Sequence, residues 1–254
     1  MEFEGIIKIA MKKVKKYGNS PKNIQDCQPF CEECERLHAI GVQYKGKFEL
    51  LYQEAMLQSV NVEYGLGGRT LHRGYYSPSL VDDIIIGNCS RGRRIKNKTE
   101  KLNISYEYHF NADGYLVLVK IGEGRFQRNE VFVRFDDTIW GFEFNSFDKL
   151  SVISEEKYEE GKIKEYITCS YQDEYNQVFN YCKEVYHYED NRIRDVDLYS
   201  FTPEIMYLSH DKYTFEHDEQ GYLSTYTLTE YQGNQVKKSV YDGHVFKVNK
   251  RRKV

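Results

Sequence analysis

Four residues within a span of twelve, Cys27, Cys31, Cys34 and His38, are spaced C-x3-C-x2-C-x3-H. Thiolate sulfur and imidazole nitrogen are the donors that zinc takes in tetrahedral sites. On a helix, Cys31, Cys34 and His38 stand at i, i+3 and i+7 and would share a face, with Cys27 folding back from just ahead as a fourth ligand. Structural zinc, however, normally joins two separated elements, and these four candidates crowd onto one helix and its lead-in. The competing expectation is a buried stripe of Phe30, Cys34, Leu37 and Gly41, in which the thiols act as small apolar groups. Cys34 and His38 are also the residue types of a nucleophile and its base, although no third residue stands out to orient the imidazole. Burial is the primary expectation; a zinc- or thiol-dependent enzyme is the alternative.

The C-x3-C-x2-C spacing also resembles the iron–sulfur cradle of radical S-adenosylmethionine enzymes. That family usually carries an aromatic residue before the third Cys and holds the motif in a (β/α) barrel. Here Glu33 occupies the position and no βα alternation follows, so the likeness ends with the spacing. A second chemical candidate is charge. Between residues 69 and 101, eight Lys and Arg oppose three acidic residues, a block that RNA, phosphate or an acidic protein would attract. Aromatic stacking platforms are not interleaved with it, so a solvated loop is expected. Gly65-Leu-Gly-Gly68 lacks the Lys-Ser/Thr and the helix start of a phosphate-binding loop.

The elements that must position these residues fall into two regions, 1–100 and 101–254, expected to pack as one unit. In the first, Phe3, Ile6, Ile7, Ala10, Val14 and Tyr17 form one helical stripe over residues 2–17. A second helix is expected from Pro29 to Gly41, a short hairpin turning at Lys45-Gly46, and a third helical stretch through Leu51, Ala55, Met56 and Val60. The chain has 23 Tyr and 14 Phe but one Trp and four Pro. Such composition suits half-buried pleated surfaces, and with a mean hydropathy of −0.70 it predicts sheets with one wet face. A formal net charge of −3 among 254 residues singles out neither a nucleic-acid binder nor a membrane-surface protein. Six irregularly spaced cysteines outline no disulfide framework, and the start lacks the pattern of a signal peptide, so a reducing cytoplasm is expected.

After residue 101 the apolar period becomes two and the chain repeats itself. Phe110-Asn-Ala-Asp-Gly-Tyr-Leu116, Phe144-Asn-Ser-Phe-Asp-Lys-Leu150 and His217-Asp-Glu-Gln-Gly-Tyr-Leu223 align without gaps, and Tyr188-Glu-Asp-Asn-Arg-Ile193 with one deletion. Each reads as a strand, a polar turn and a second strand, and the spacing of the units leaves room for three or four short strands in each. The pattern resembles the tyrosine–aspartate (YD, Rhs-type) repeat, Tyr-Asp-x-x-Gly-x-Leu, over roughly residues 104–245. Phe110-Asn111 and His217-Asp218 hold the Tyr-Asp positions; the middle two units lack the Gly. The resemblance implies a short relative of the small cytoplasmic immunity proteins that accompany bacterial polymorphic toxins, with a protein toxin as its partner, encoded beside it. Exposed tyrosines on the wet face, Tyr106, Tyr108, Tyr186, Tyr188 and Tyr226, would form the contact surface, and no cofactor is implied. A carbohydrate or cell-surface binding repeat is a further alternative. The expected fold is α+β and dominated by β: N-terminal helices followed by a twisted antiparallel meander of degenerate hairpins.

Overall fold

Residues with alternating polarity and aromatic or β-branched side chains form most of the chain's regular structure. In a computed structural model that describes residues 22–66, 73–81, 84, 93–95, 105–219, 221, 223–232 and 235–241, they build one thirteen-stranded antiparallel sheet. The expected helix at 2–17 lies outside the described residues. The strands are β1 (Asn61–Leu66), β2 (Arg93–Ile95), β3 (Tyr106–Phe110), β4 (Leu116–Ile121), β5 (Arg128–Phe135), β6 (Thr138–Phe144) and β7 (Leu150–Glu159). They continue with β8 (Lys162–Gln172), β9 (Gln177–Glu189), β10 (Arg192–Thr202), β11 (Tyr207–His217), β12 (Leu223–Gln232) and β13 (Gln235–Tyr241). From β3 to β13 each strand pairs with its neighbour in sequence; β1 lies beside β3 and β2 beyond it. The α+β, β-dominated architecture read from the sequence is the one observed.

The repeated heptapeptides are hairpin corners. Phe110 pairs with Leu116, Phe144 with Leu150, Tyr188 with Ile193 and His217 with Leu223, each beside a shift in register. Two of the corners share an Asx turn, in which a side-chain amide oxygen takes backbone donors in place of a strand partner. Asn111 Oδ1 accepts the N–H groups of Asp113 and Tyr115 at 3.1 and 2.9 Å, and Asn145 Oδ1 those of Phe147 and Lys149 at 2.9 and 3.2 Å. Successive corners open β4, β7, β10 and β12, so the intervals hold three, three and two strands. The last interval is shorter than expected, and the strands of the second interval are long, with 10, 11 and 13 residues.

Two helices, α1 (Lys22–Tyr44) and α2 (Phe48–Gln58), cross one face of the sheet, here called the front. Three expectations are corrected. α1 begins before Pro29, which sits inside it on the exposed side, where the lost hydrogen bond and ring displacement meet solvent and not the core. Gly41 does not stop the helix: a Cβ there would run into the Tyr171 ring, so glycine is what lets the helix seat on the sheet. Lys45-Gly46 turns the chain between two helices and not within a hairpin, with Gly46 at φ 73°. The third helical stretch is α2, which buries Leu51 and Ala55. Cys27, Cys31, Cys34 and Leu37 pack with these onto Phe142, Phe144, Ile153, Ile167 and Tyr181. Tyr44 stacks on Phe142 at 4.1 Å between centroids. Each fully buried large apolar side chain contributes about 1.5–3 kcal/mol.

The opposite face, the back, is not wet either. Residues 73–81 and 84 lie against it, burying Leu80, Val81 and Ile84 among Tyr166, Tyr186, Val196, Tyr213 and Phe215. The composition-based expectation of one wet face fails because this segment, taken for a solvated loop, carries apolar residues at a spacing that fits the back-face tyrosines. Its single cation, Arg73, is itself buried.

Replacing Gly41 with Ala is expected to destabilise the fold by about 1–3 kcal/mol, the usual cost of overpacking. Adding Tyr171→Leu should return part of that loss. Urea unfolding of both variants checks it; equal stability of Gly41→Ala and wild type would show that the helix–sheet contact tolerates a methyl group.

Candidate functional site

The three cysteines stay together in the core that α1 covers, and His38 is turned out from them. Cys27 and Cys31 are buried beside the β10–β11 turn, with Cys27 Sγ 3.6 Å from the Met206 carbonyl oxygen and Cys31 Sγ 3.8 Å from Met206 Sδ. Cys34 is buried and His38 is exposed. At about 100° per residue the buried stripe drifts along α1, from Cys27 and Cys31 to Leu37, Gly41 and Tyr44, which leaves His38 roughly a quarter turn away. Burial pushes the Cys27 and Cys31 thiols up to about 11, with like charge from Cys31 and Asp26 adding at Cys27 and from Glu35 and Glu32 at Cys31. Cys34 is raised further, again chiefly by burial. Neutral thiols are poor nucleophiles and poor metal ligands. The buried stripe describes how this helix packs, with the three cysteines inside and His38 outside.

The five tyrosines proposed as an exposed contact surface are corrected as well. Tyr106, Tyr108, Tyr186 and Tyr226 are buried and Tyr188 is half-buried. Their hydroxyls serve the fold: Tyr108 accepts the Tyr75 N–H at 2.9 Å, Tyr186 accepts the Leu80 N–H at 3.1 Å, and Tyr188 donates to the Ile163 carbonyl at 2.9 Å. Composition marks tyrosines as suited to a half-covered face, but it cannot say which face a distant segment covers.

Below the back-face segment lies a buried charge network. Arg73 donates to Glu130 at 3.0 Å, to Ser154 at 2.8 Å and to Glu156, with its guanidinium over the Phe132 ring at 4.4 Å. Burial alone would lower the Arg73 pKa, but Glu130 and Glu156 outweigh it and hold the cation charged. Gly141 makes the space, because a Cβ there would overlap Ser154 Oγ and Glu130 Oε1. Glu143 stands directly across from Glu130 on β6. Burial, with help from Glu130, pushes its carboxyl up to about 7 even though Arg128 lies 2.8 Å away. This arrangement pins the segment to the sheet.

Two features on the surface were missed from sequence. At one end of the sheet the turns between β4 and β5, β6 and β7, β8 and β9, and β10 and β11 follow one another. Each presents an exposed aromatic ring: Phe126, Phe147, Tyr175 and Tyr207, with 70, 80, 72 and 46% of their surface open. Neighbouring turns are tied by Lys149 to Asp173 at 3.7 Å and by Gln177 to Glu204 at 3.2 Å. Strand spacing puts adjacent rings about 10 Å apart and the whole row across about 30 Å. The signal was an aromatic residue within each polar turn at this end, visible only once strand direction is known.

The second feature lies on the front face, on the part of β9–β11 that the helices leave open. His187, Asp195 and Asp197 bring a nitrogen and two carboxylate oxygens within 4.8 Å of one another. His187 Nε2 is 2.9 Å from Asp197 Oδ2, and His210 Nε2 is 2.7 Å from Asp197 Oδ1. Asp-Val-Asp at 195–197 is legible as two carboxylates on one face of a strand; the histidines join through register. No family model matches the chain, and no curated protein is significantly similar to it. No helix among the described residues is long and apolar enough to cross a membrane.

Because folded Glu143 holds its proton to a higher pH than an unfolded carboxyl does, the folded protein binds more protons between about pH 4.5 and 7. Stability from this group is therefore present at low pH and lost as pH rises through about 7. Glu143→Gln is expected to flatten that decline and to exceed wild type at pH 8 by at most about 3 kcal/mol. Urea midpoints from pH 5 to 8 measure it; parallel declines in both proteins would assign the pH dependence to other groups.

Proposed function

We propose that this chain is a protein-binding protein of the immunity type, which neutralises a toxin in the cytoplasm by covering its working surface. The observation that carries the reading is the row Phe126, Phe147, Tyr175 and Tyr207. Large apolar rings left open by the fold mark contact sites, and aromatic anchors dominate the energy of protein interfaces. A standard interface takes about 800 Å² from each partner, a patch about 30 Å across, which the row matches. Sheets twist by about 20–25° per strand, so rings two strands apart diverge by about 40–50°. One partner would thus rest on the two central rings, Phe147 and Tyr175, with the outer rings at its margins. Mixed charge from Lys149, Asp148 and Glu174 surrounds them and suits specificity more than bulk attraction. The toxin as partner rests on the resemblance of the hairpin corners to YD-type repeats.

Wild-type protein, used as bait in lysate of its own cells at about 0.5 M salt to screen weak ionic association, is expected to retain one stoichiometric protein. Expression of that protein alone should stop growth, and this chain should restore it. Phe147→Ala and Tyr175→Ala should each weaken the complex by about 2 kcal/mol, roughly 30-fold, without lowering the melting temperature. A protein partner that binds the double variant as tightly as wild type would remove the row from the interface. Finding neither a growth-stopping partner nor rescue would overturn the immunity reading, and glycan capture through the same rings would favour the carbohydrate-binding alternative.

A further inference from the structure

The front-face constellation has the donor set of a divalent metal centre. His187 and His210 each aim Nε2 at a different oxygen of Asp197, so one carboxylate is flanked by two imidazoles. Asp195 Oδ1 closes the group at 3.9 Å from His187 Nε2, too long for a hydrogen bond. Two ligand atoms about 2.1 Å from zinc at a tetrahedral angle lie roughly 3.4 Å apart; the spacings of 2.9 and 3.9 Å bracket that value.

Three further observations favour a ligand here over a simple ion-pair ladder. The His210 ring is clamped between Tyr199 and Tyr231, with centroids at 4.5 and 4.6 Å and planes within 12° of parallel. That stack, made by directly paired residues on β10, β11 and β12, fixes the direction of Nε2 before any cation arrives. Asp195 is buried, and its Oδ1, 2.9 Å from Lys212 Nζ, is the carboxylate oxygen that also faces His187. Asp197, in contrast to Asp195, is met by imidazoles and by no Lys or Arg in ion-pair contact among the described residues. The histidines keep about a third of their side-chain surface open, 36% for His187 and 30% for His210, so solvent reaches one side of the group.

We infer that His187, Asp195 and Asp197 bind one divalent transition-metal ion of the zinc class, with His210 steadying Asp197 from its other oxygen and the fourth coordination position left to water. An imidazole with carboxylate oxygens suits zinc and cobalt better than magnesium or calcium, which prefer all-oxygen sets. Lys212 is the built-in competitor. Its ammonium and the Arg194 guanidinium, whose Nε donates to Asp195 Oδ2 at 2.5 Å, both pair with Asp195, and the metal must displace part of that attraction. The inference is independent of the aromatic row and of any partner.

The test uses the full chain without a histidine tag, stripped with chelator and titrated with cobalt(II), whose visible absorption reports coordination, and with zinc by calorimetry. One equivalent is expected with a dissociation constant in the micromolar range. Asp197→Asn and His187→Gln should each weaken binding at least about 100-fold, and His210→Gln, which acts through Asp197, about 10-fold. Lys212→Gln should tighten it, because an ion-pair competitor is gone. The triple variant Cys27→Ser, Cys31→Ser, Cys34→Ser and the variant Cys182→Ser should bind as wild type does. If a ligand variant does not fold, Lys212→Gln and perturbation of the His187 and His210 imidazole resonances by zinc decide the matter. Binding lost with the cysteines, binding unchanged in Asp197→Asn, or no binding by wild type at 1 mM zinc, about a thousand times the expected constant, would each overturn the site.

Discussion

A single sheet of thirteen strands presents alternate side chains to two faces, and neither face can hide its apolar residues against a second sheet. The rest of the molecule answers that constraint. Residues ahead of β3 supply both covers: α1 and α2 in front, and residues 73–81 and 84 behind. The front cover is apolar and works through ring contacts such as Tyr44 on Phe142 and Phe48 on Phe144. The back cover is anchored by a charge. Arg73 sits at φ 48°, a strained conformation for a residue with a side chain, and it persists because Glu130, Glu156 and Ser154 hold the guanidinium. A buried ion pair of this kind adds little net stability but makes removal of either partner costly. Its effect is registry: it sets where the segment lies, and with it which tyrosines are covered.

What could be read from sequence was local. Asn111 and Asn145 mark their turns because an Asx oxygen satisfies backbone donors wherever the chain reverses, and the closing pairs Phe110–Leu116 and Phe144–Leu150 follow from the same few residues. The strand count between corners was not local. An odd number of strands sends consecutive corners to opposite ends of the sheet, so the similarity of sequence does not translate into stacked identical units. The cysteines show the same division. Their period placed them on one helix face; that the face packs against Met206, some 175 residues away, depends on tertiary contacts. Tyr108 and Tyr186 were assigned to a wet face because nothing near them in sequence announces Leu80 or Arg73.

Among the described residues both faces are largely occupied, and the surfaces left for function are the turns at the sheet's ends and the part of the front face that α1 and α2 do not reach. The two differ in physical character. The open front face carries paired charges in rows, Lys157 with Glu165 at 3.0 Å, Lys183 with Glu165 at 2.9 Å, and the His187–Asp197–His210 group beside them. Such rows are solvated and directional, suited to an ion more than to a large apolar partner. The turn row is apolar and projects outward.

The backbone explains why those rings are suited to recognition. Each stands within two residues of a position with positive φ: Gly124 before Phe126, Asp148 after Phe147, Asn176 after Tyr175 and Met206 before Tyr207. Left-handed residues close tight turns, and tight turns with internal hydrogen bonds have few alternative conformations. Binding through them orders little that was not already ordered, which removes much of the entropy that flexible loops lose on association. Met206 is the telling case. A bulky side chain at φ 49° is uncommon and persists only when its surroundings over-determine it. Here Cys27 and Cys31 do so, with Cys27 facing its carbonyl and Cys31 its sulfur. The cysteine helix, whose sequence suggested chemistry of its own, thus acts by holding one end of the aromatic row in place.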